Sequence, residues 1–263
     1  MNPISLSPTD LAISALLVAF DAALSVVLRL RLHRQVLWAA ARMVVQLVAV
    51  GYILRLVFSL RHPGATLAMV VVMAIVAARE IAARPERKFR GAAGLALSAG
   101  AVAISTIVTV GLALATAIRP HPWYDARYAI SLTGIILGSV LNSGSLSLDS
   151  LLGGVSRERS AIEAQLALGA SFHQATASLL REAIRRGLLP VINQMSAAGV
   201  ITLPGIMTGQ ILAGLDPLEA VKYQILLMFL LAGASGLSAA VIAYASLRRL
   251  TDDRERLRLD RLQ

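Results

Sequence analysis

Four long runs without a single charged residue constrain this chain more than any other feature of its sequence. They extend over residues 91–118, 128–148, 187–215 and 223–247. A helix needs about 20 mostly apolar residues to cross the hydrocarbon core of a bilayer. Charged residues make up only 15% of the chain, whereas soluble domains carry about 25%. The sequence therefore predicts an all-α membrane protein, a polytopic helical bundle, and not a soluble enzyme.

Three weaker apolar runs precede these four. Residues 11–28 contain Asp21, residues 35–54 contain Arg42, and residues 62–78 are short. Together the runs predict about seven membrane-spanning helices in a single domain over residues 1–263. The predicted spans are 10–30, 36–57, 63–83, 92–118, 127–149, 188–214 and 218–248, with a polar segment at 155–187 between the fifth and the sixth.

The basic residues predict the orientation of these spans. Nineteen of the 25 Lys and Arg residues fall in the C-terminal tail and in the connections after spans one, three and five, which share one side. Because cytoplasmic loops carry an excess of Lys and Arg, we expect the C-terminus in the cytoplasm and the N-terminus outside. The net charge of +10 is then explained by topology and by anionic lipid, so no nucleic-acid partner is expected.

Segment 155–187 is the longest polar stretch between spans. Its apolar residues recur at helical spacing and Gly169 interrupts the pattern, which predicts one or two amphipathic helices. Two interpretations are open at this point. The segment is either an interfacial helix that lies on lipid, or a stiff element that projects from the membrane and transmits a rigid-body push.

A short motif within this segment favours the second interpretation. Residues 163–169 read EAQLALG and resemble the cytoplasmic EAA loop of ABC transporter permeases, which docks on an ATPase subunit. Gln165 departs from the second Ala of that pattern. The resemblance implies that ATPase coupling falls to Glu163, Ala164, Leu168, Gly169 and Ala170.

A longer stretch extends the resemblance to nearly the whole chain. Residues 201–225 read ITLPGIMTGQILAGLDPLEAVKYQI and are similar to the signature of the FetB-type permeases, a bacterial iron-export family related to plant aluminium-tolerance half-transporters. Residues 37–54 match that family's second helix, and residues 168–190 match its coupling region. The resemblance implies a homodimeric permease in the bacterial cytoplasmic membrane that exports an iron-like metal cation with a separate ATPase subunit. Ser131 and Ser139 stand where the family carries Pro and Asn, so the substrate or rate is expected to differ if those positions touch substrate.

No nucleotide-binding motif is present in the sequence. The only lysines, Lys88 and Lys222, do not follow the glycine pattern of a P-loop, so we expect ATP and Mg²⁺ on the partner subunit and no cofactor on this chain. There is no cysteine, and the four histidines lie far apart, so the sequence identifies no metal ligands. The alternative function is an ion-coupled secondary transporter that needs no ATPase, which would favour broken helices, hinted at only by Pro204.

Polar side chains inside the predicted spans are candidates for a translocation path, because ionisable groups are costly there and are often functional. Asp21 and Arg42 are predicted at similar depth on neighbouring helices, so we expect an ion pair between them. A gate or cation site on Asp21 is the alternative. The candidate path residues are Asp21, Arg42, Gln46, Asn142, Asn193, Gln194 and Gln210.

The end of the chain carries helix-breaking and helix-capping signals. Pro204 predicts a kink, and Gly205 and Gly209 form a G-x-x-x-G pattern that permits close helix packing, with a dimer seam as the functional alternative. Asp216, followed by Pro217, is typical of a helix start and is favoured in that role over a cation-release site. The tail from Arg248 is expected to be a short charged helix or a frayed end.

Overall fold

The chain is almost entirely helical. The computed structural model describes residues 7–60, 62–118 and 125–263, and these contain isolated β-bridges but no β-strand. The helices are α1 (Pro8–Val27), α2 (His33–Leu60), α3 (Pro63–Ala83), α4 (Ala93–Leu112), α5 (Ala126–Arg157), α6 (Arg159–Ala167), α7 (Phe172–Ala197), α8 (Gly205–Leu212) and α9 (Pro217–Arg249). A π-helical turn, Ala113–Ile118, continues α4, and a 3₁₀ turn, Leu259–Arg261, lies in the C-terminal tail. The predicted all-α class is confirmed.

Six of these helices are long and apolar enough to cross a membrane: Thr9–Val27, His33–Leu60, Pro63–Ala83, Ala93–Thr116, Ala126–Arg157 and Pro217–Arg249. The predicted count of seven spans is therefore not confirmed, and the orientation of the termini stays a prediction. The difference lies in the predicted span 188–214, which does not form one helix.

Helix α7 passes through the predicted boundary at residues 187–188 without interruption and contains Pro190 in its interior. It ends at Ala197, and Gly199 then adopts a left-handed backbone with φ of +83°, a conformation that ends a helix at little cost only for glycine. Pro204 lies directly before α8, where its carbonyl accepts a hydrogen bond from the N–H of Thr208. The predicted kink at Pro204 is thus a break between two separate helices.

The chain forms two compact units, and the first contains α1 and α2. Ser7 and Asp10 form a reciprocal capping box at the start of α1, which satisfies N–H groups that a helix start leaves unpaired. In the connection to α2, the buried Ser25 hydroxyl accepts a hydrogen bond from the N–H of Leu32. Most apolar side chains of both helices are exposed, as expected for helices whose solvent is lipid.

The second unit is built around α5, α7 and α9, with α3 and α4 packed against α5 and α9. Ile136 and Leu151 of α5 and Ile242 of α9 are fully buried in its core. The helices approach closely where the sequence supplies small residues. A Cβ atom on Gly187 of α7 would lie 2.9 Å from the Ser143 carbonyl oxygen of α5, so only glycine fits at that position.

Candidate functional site

The turn between α6 and α7 is the part of the described chain that most resembles an interaction site. Gly169 lies in the left-handed region with φ of +91°, and its N–H donates to the Leu166 carbonyl at 3.0 Å. The N–H of Ala170 donates to the Gln165 carbonyl, also at 3.0 Å. These two bonds form a Schellman motif, the standard rigid end of a helix at glycine. The predicted break at Gly169 is confirmed.

The start of α7 is held as firmly as the end of α6. The Ser171 hydroxyl accepts from the N–H of Gln174 at 3.3 Å, and the Gln174 side chain accepts from the N–H of Ser171 at 2.9 Å. This capping box satisfies two backbone donors. A third, the N–H of Phe172, donates to Glu255 Oε2 at 2.6 Å. Two short backbone motifs and one distant carboxylate therefore fix the turn.

Buried anchors join the turn to the second unit while its tip stays exposed. Ile162 of α6 and Phe172 of α7 are buried. Leu168, at the tip, is 88% exposed. Glu163, also exposed, pairs with Arg159 one turn earlier at 2.8 Å, a surface pair that contributes little to stability. The predicted coupling residues, Glu163, Ala164, Leu168, Gly169 and Ala170, thus lie together on one short element.

The C-terminal tail, residues 250–263, folds against this end of the second unit. The N–H of Gln263 donates to the Lys88 carbonyl at 2.8 Å, and the N–H of Lys88 donates back at 3.1 Å. The Arg261 guanidinium donates to the backbone carbonyls of Arg249 and Thr251. The prediction of a charged helix or a frayed end is wrong, because backbone pairing with a distant loop orders the tail.

Ion pairs between Asp and Arg side chains form within the tail. The Arg256 backbone N–H, together with the Arg256 guanidinium, lowers the pKa of Asp252 to about 2. A hydrogen bond from Arg258 lowers the pKa of Asp260 to about 2, and the same bond raises the pKa of Arg258. Both carboxylates are therefore ionised throughout the physiological range.

A cavity of about 490 Å³ opens between the tail, the start of α7 and the end of α9. Its lining residues are Phe172, His173, Tyr244, Leu247, Arg248, Thr251, Asp252 and Glu255. It lies beside the α6–α7 turn, because Phe172 and His173 are the first two residues of α7. None of the seven candidate path residues lines this cavity.

The candidate path residues are divided between the two units. Asp21, Arg42 and Gln46 are exposed in the first unit, and Asn142, Asn193 and Gln194 are exposed in the second. Gln210 is partly buried, and its side-chain oxygen has no hydrogen-bond partner among the described residues. No group of three or more His, Asp or Glu side chains able to hold a metal occurs in the described residues.

The ion pair predicted between Asp21 and Arg42 is not formed. Asp21 takes part in none of the ion pairs of the described residues. Its neighbours Ala22 and Ser25 are the buried residues of α1, and the Asp21 side chain is exposed. Similar depth along two helices was therefore not sufficient to bring the two charges together.

Gly205 and Gly209 have open space beside them. A Cβ atom on either residue would meet no atom of the described chain within 4 Å. Close approach occurs instead at Gly187 and at Gly144, where a Cβ would lie 2.8 Å from the Ser238 hydroxyl. The G-x-x-x-G face of α8 is thus unpartnered within the described chain.

Hydrogen bonds between α5 and α9 were missed by the sequence reasoning. The Ser139 and Ser235 hydroxyls lie 2.7 Å apart, and Ser238 donates to the Val140 carbonyl at 3.0 Å. Ser147 donates to the Ala239 carbonyl at 3.0 Å. The signal was available in the spacing of Ser139, Ser143 and Ser147, which places three serines on one face of a helix.

Asp216 has the structural role that its position predicts. Its carboxylate accepts from the N–H groups of Leu218 at 2.9 Å and Glu219 at 3.3 Å, and it forms the N-cap of α9. Glu219 lies in the first turn and pairs with Lys222 at 2.6 Å. The helix-start interpretation is confirmed.

Six helices of the described chain are long and apolar enough to cross a membrane, and the α6–α7 turn is an ordered polar element of the second unit. Together they define a multi-pass helical membrane protein. The chain belongs to the family described as "Uncharacterised protein family (UPF0014)", whose model matches residues 8–251. The predicted resemblance to FetB-type permeases is confirmed by the relatives of this family.

Three relatives illustrate the family's range. The "UPF0014 membrane protein slr1647" of Synechocystis is 42% identical over 87% of each chain. The "Probable iron export permease protein FetB" of Escherichia coli is 31% identical over 100% of this chain and 99% of its own. The "UPF0014 membrane protein STAR2" of rice is 35% identical over 86% of this chain and 78% of its own. No solved structure matches the chain.

Proposed function

We propose that this protein is the permease subunit of an ABC transporter that exports an iron-like metal cation across the bacterial cytoplasmic membrane. Two copies of the chain form the pathway, and a separate ATPase subunit drives alternating access. The full-length similarity to an E. coli protein named as a probable iron export permease supports the direction and the cargo. The family similarity to a rice membrane protein supports a conserved membrane role.

One observation supports the proposal that the chain binds an ATPase partner. The α6–α7 turn exposes Leu168 at its tip, and Gly169 locks the turn in a Schellman motif. A rigid, exposed, apolar tip has the properties needed to occupy a groove on another protein and to move with it. An interfacial helix would instead place its apolar residues along one lipid-facing side, whereas α6 buries Ile162 against the protein.

ATP is bound and hydrolysed by the partner in this proposal, since the sequence contains no P-loop. Closure of two ATPase subunits on ATP would draw the two α6–α7 turns together. Helix α7 runs without a break from the turn to Ala197. A displacement of the turn would therefore be carried along 26 residues of one continuous helix, past the exposed amides of Asn193 and Gln194.

A second copy of the chain completes the pathway. Six of the seven candidate path residues are exposed, and Gln210 is partly buried. Exposed amide and charged groups inside a membrane are costly unless they face protein or water. A pathway between two copies satisfies this requirement, and the open face of Gly205 and Gly209 offers a surface for close contact.

The test is reconstitution of the chain in proteoliposomes with the ATPase subunit encoded beside it. We expect Fe²⁺ to stimulate ATP hydrolysis and ATP to drive Fe²⁺ movement. Leu168→Asp should abolish both by preventing the complex, because Leu168 is 88% exposed and its replacement does not disturb the core. Ser178→Asp, at an exposed position further along α7, is the matched control and should retain activity.

Gly169→Arg is a second variant of the same turn. It should also prevent the complex, since a side chain at φ of +91° is strained. Transport that proceeds without any ATPase would refute the proposal and identify an ion-coupled secondary transporter.

A further inference from the structure

The C-terminal tail connects the α6–α7 turn with the connection between α3 and α4. In the first half of the tail, Glu255 accepts the hydrogen bond from the N–H of Phe172, the first residue of α7. At its C-terminal end, Gln263 and Lys88 exchange two backbone hydrogen bonds, and the Arg261 carbonyl accepts from the N–H of Arg90 at 2.9 Å. The tail therefore contacts two loops that are far apart in sequence.

The α3–α4 connection is itself tied to the central helix of the second unit. The N–H of Glu86 donates to Asp149 Oδ1 of α5 at 3.1 Å. Arg84 donates to the side-chain oxygen of Asn142, also on α5, at 3.4 Å. Hydrogen bonds, joined by short segments of the chain, thus link the start of α7 through the tail to α5, which contains the candidate path residue Asn142.

Glu255 has an unusual backbone for a non-glycine residue. Its φ is +54°, in the left-handed region that costs energy for residues with a Cβ and tends to occur at functional positions. The same residue places its carboxylate at the N-terminus of α7, where the helix dipole favours a negative charge. The tail therefore holds a strained backbone at the point where its carboxylate reaches the candidate coupling turn.

The tail is anchored on both sides of Glu255. The Asp252 carboxylate accepts from the N–H of Arg254 at 3.1 Å and from the N–H of Arg256 at 2.9 Å. The N–H of Arg258 donates to the Leu250 carbonyl at 2.8 Å. Because these bonds close a compact loop around Glu255, a displacement of Phe172 acts on the tail as a whole.

We infer that Glu255 is a positioning residue for the α6–α7 turn, and that the tail transmits displacement of this turn to the α3–α4 connection. The inference rests on the proposed function, because it assigns the turn to an ATPase partner. Movement of the turn by the ATPase would therefore reach the other helices by two routes, through α7 and through the tail. Transport and ATP hydrolysis stay coupled only while this link is intact.

The experiment compares Glu255→Ala, Glu255→Gln and Glu255→Gly in the reconstituted complex. We expect Glu255→Ala still to bind the ATPase, because the Schellman motif and the capping box of the turn do not involve Glu255. The variant should move fewer metal ions per ATP hydrolysed, by roughly fivefold or more. Glu255→Gln keeps a side-chain acceptor, so its number of metal ions moved per ATP should lie between those of the wild type and Glu255→Ala. Glu255→Gly removes the carboxylate but relieves the positive φ, so it separates loss of the link from backbone strain. Asp253→Ala, an exposed neighbour in the tail, is the control and should be unchanged.

A purely structural role is distinguished by its readout. It would lower the thermal stability of the Ala variant without changing the number of ions moved per ATP, and that result would overturn the inference.

Hydrogen exchange provides a second measurement. ATP binding by the complex should change the protection of the amides of residues 86–92 in the wild type and leave it unchanged in Glu255→Gly. An equal change in both proteins would also overturn the inference. Failure of the wild-type chain to bind the ATPase would instead refute the proposed function.

Discussion

Gly187 of α7 and Ser143 of α5 are in such close contact that the space between their helices excludes a single methyl group. A Cβ on Gly187 would lie 2.9 Å from the Ser143 carbonyl oxygen and 2.8 Å from the Ala239 Cβ of α9. Three helices meet at this point, and each of the three contacting atoms is either a backbone atom or the first atom of a side chain. The contact therefore has no flexible group that can move aside.

Gly187→Ala should destabilise the protein because it overpacks this contact. Overpacking a well-filled interior costs about 1–3 kcal/mol. The measurement is the thermal unfolding temperature in detergent, which we expect to fall. Gly100→Ala is the matched control, since Gly100 also lies within a helix but meets no atom within 4 Å, and it should cause no loss. Equal unfolding temperatures for the two variants would contradict the close packing.

Gly209→Leu should weaken self-association without affecting the fold of a single copy. Gly209 lies in α8 with open space beside it, so a larger side chain meets nothing within the described chain. In a second copy, the same side chain would prevent the close helix approach that G-x-x-x-G patterns permit. Energy transfer between labelled copies in nanodiscs measures the dimer fraction. Gly100→Leu controls for bulk alone, and an unchanged dimer fraction in Gly209→Leu would exclude this face as the seam.

Asp216→Ala should destabilise α9 by removing its N-cap. Loss of such a cap costs about 1 kcal/mol, measurable as a lower unfolding temperature. Asn also caps helices well, so Asp216→Asn should keep both stability and metal transport. Normal stability combined with lost transport in the Asn variant would show that the charge is needed, and would return Asp216 to the role of a cation-release site.

Acidification should loosen the tail at a pH set by Asp252. Its pKa is lowered from 3.8 to about 2 in the folded tail, so the ionised form favours folding. The contribution to stability is complete above the ordinary pKa and is lost as the pH falls from 3.8 towards 2. Carboxyl carbon chemical shifts of ¹³C-aspartate measure this titration directly. Arg256→Ala removes the guanidinium but keeps the backbone N–H, so it should raise the pKa only part of the way.

The sequence was sufficient to predict the features that depend on local chemistry. The apolar runs predicted six of the helices, Gly169 predicted the turn between α6 and α7, and Asp216 predicted the start of α9. Each of these depends on residues within a few positions of one another. A glycine able to adopt positive φ and a carboxylate able to cap a helix act locally, so a single sequence reveals them.

Features that depend on distant residues were not predictable in this way. The tail is ordered by exchange of hydrogen bonds between Gln263 and Lys88, and no spacing within the tail indicates it. Helix α7 continues through Pro190, next to Val191, which is buried in the core, and no local pattern indicates this continuity. The Asp21–Arg42 prediction compared only helical depth, which does not determine whether two side chains meet.

Leu168 also has a consequence for the life of the chain in the cell. Chaperones and proteases continuously act on proteins that expose apolar residues. Leu168, an exposed leucine on a rigid turn, is such a residue. If the proposed ATPase partner covers Leu168, a copy without that partner would keep this leucine exposed. The cellular lifetime of the chain should therefore follow the supply of that partner, and synthesis of both subunits from one messenger would shorten the vulnerable interval.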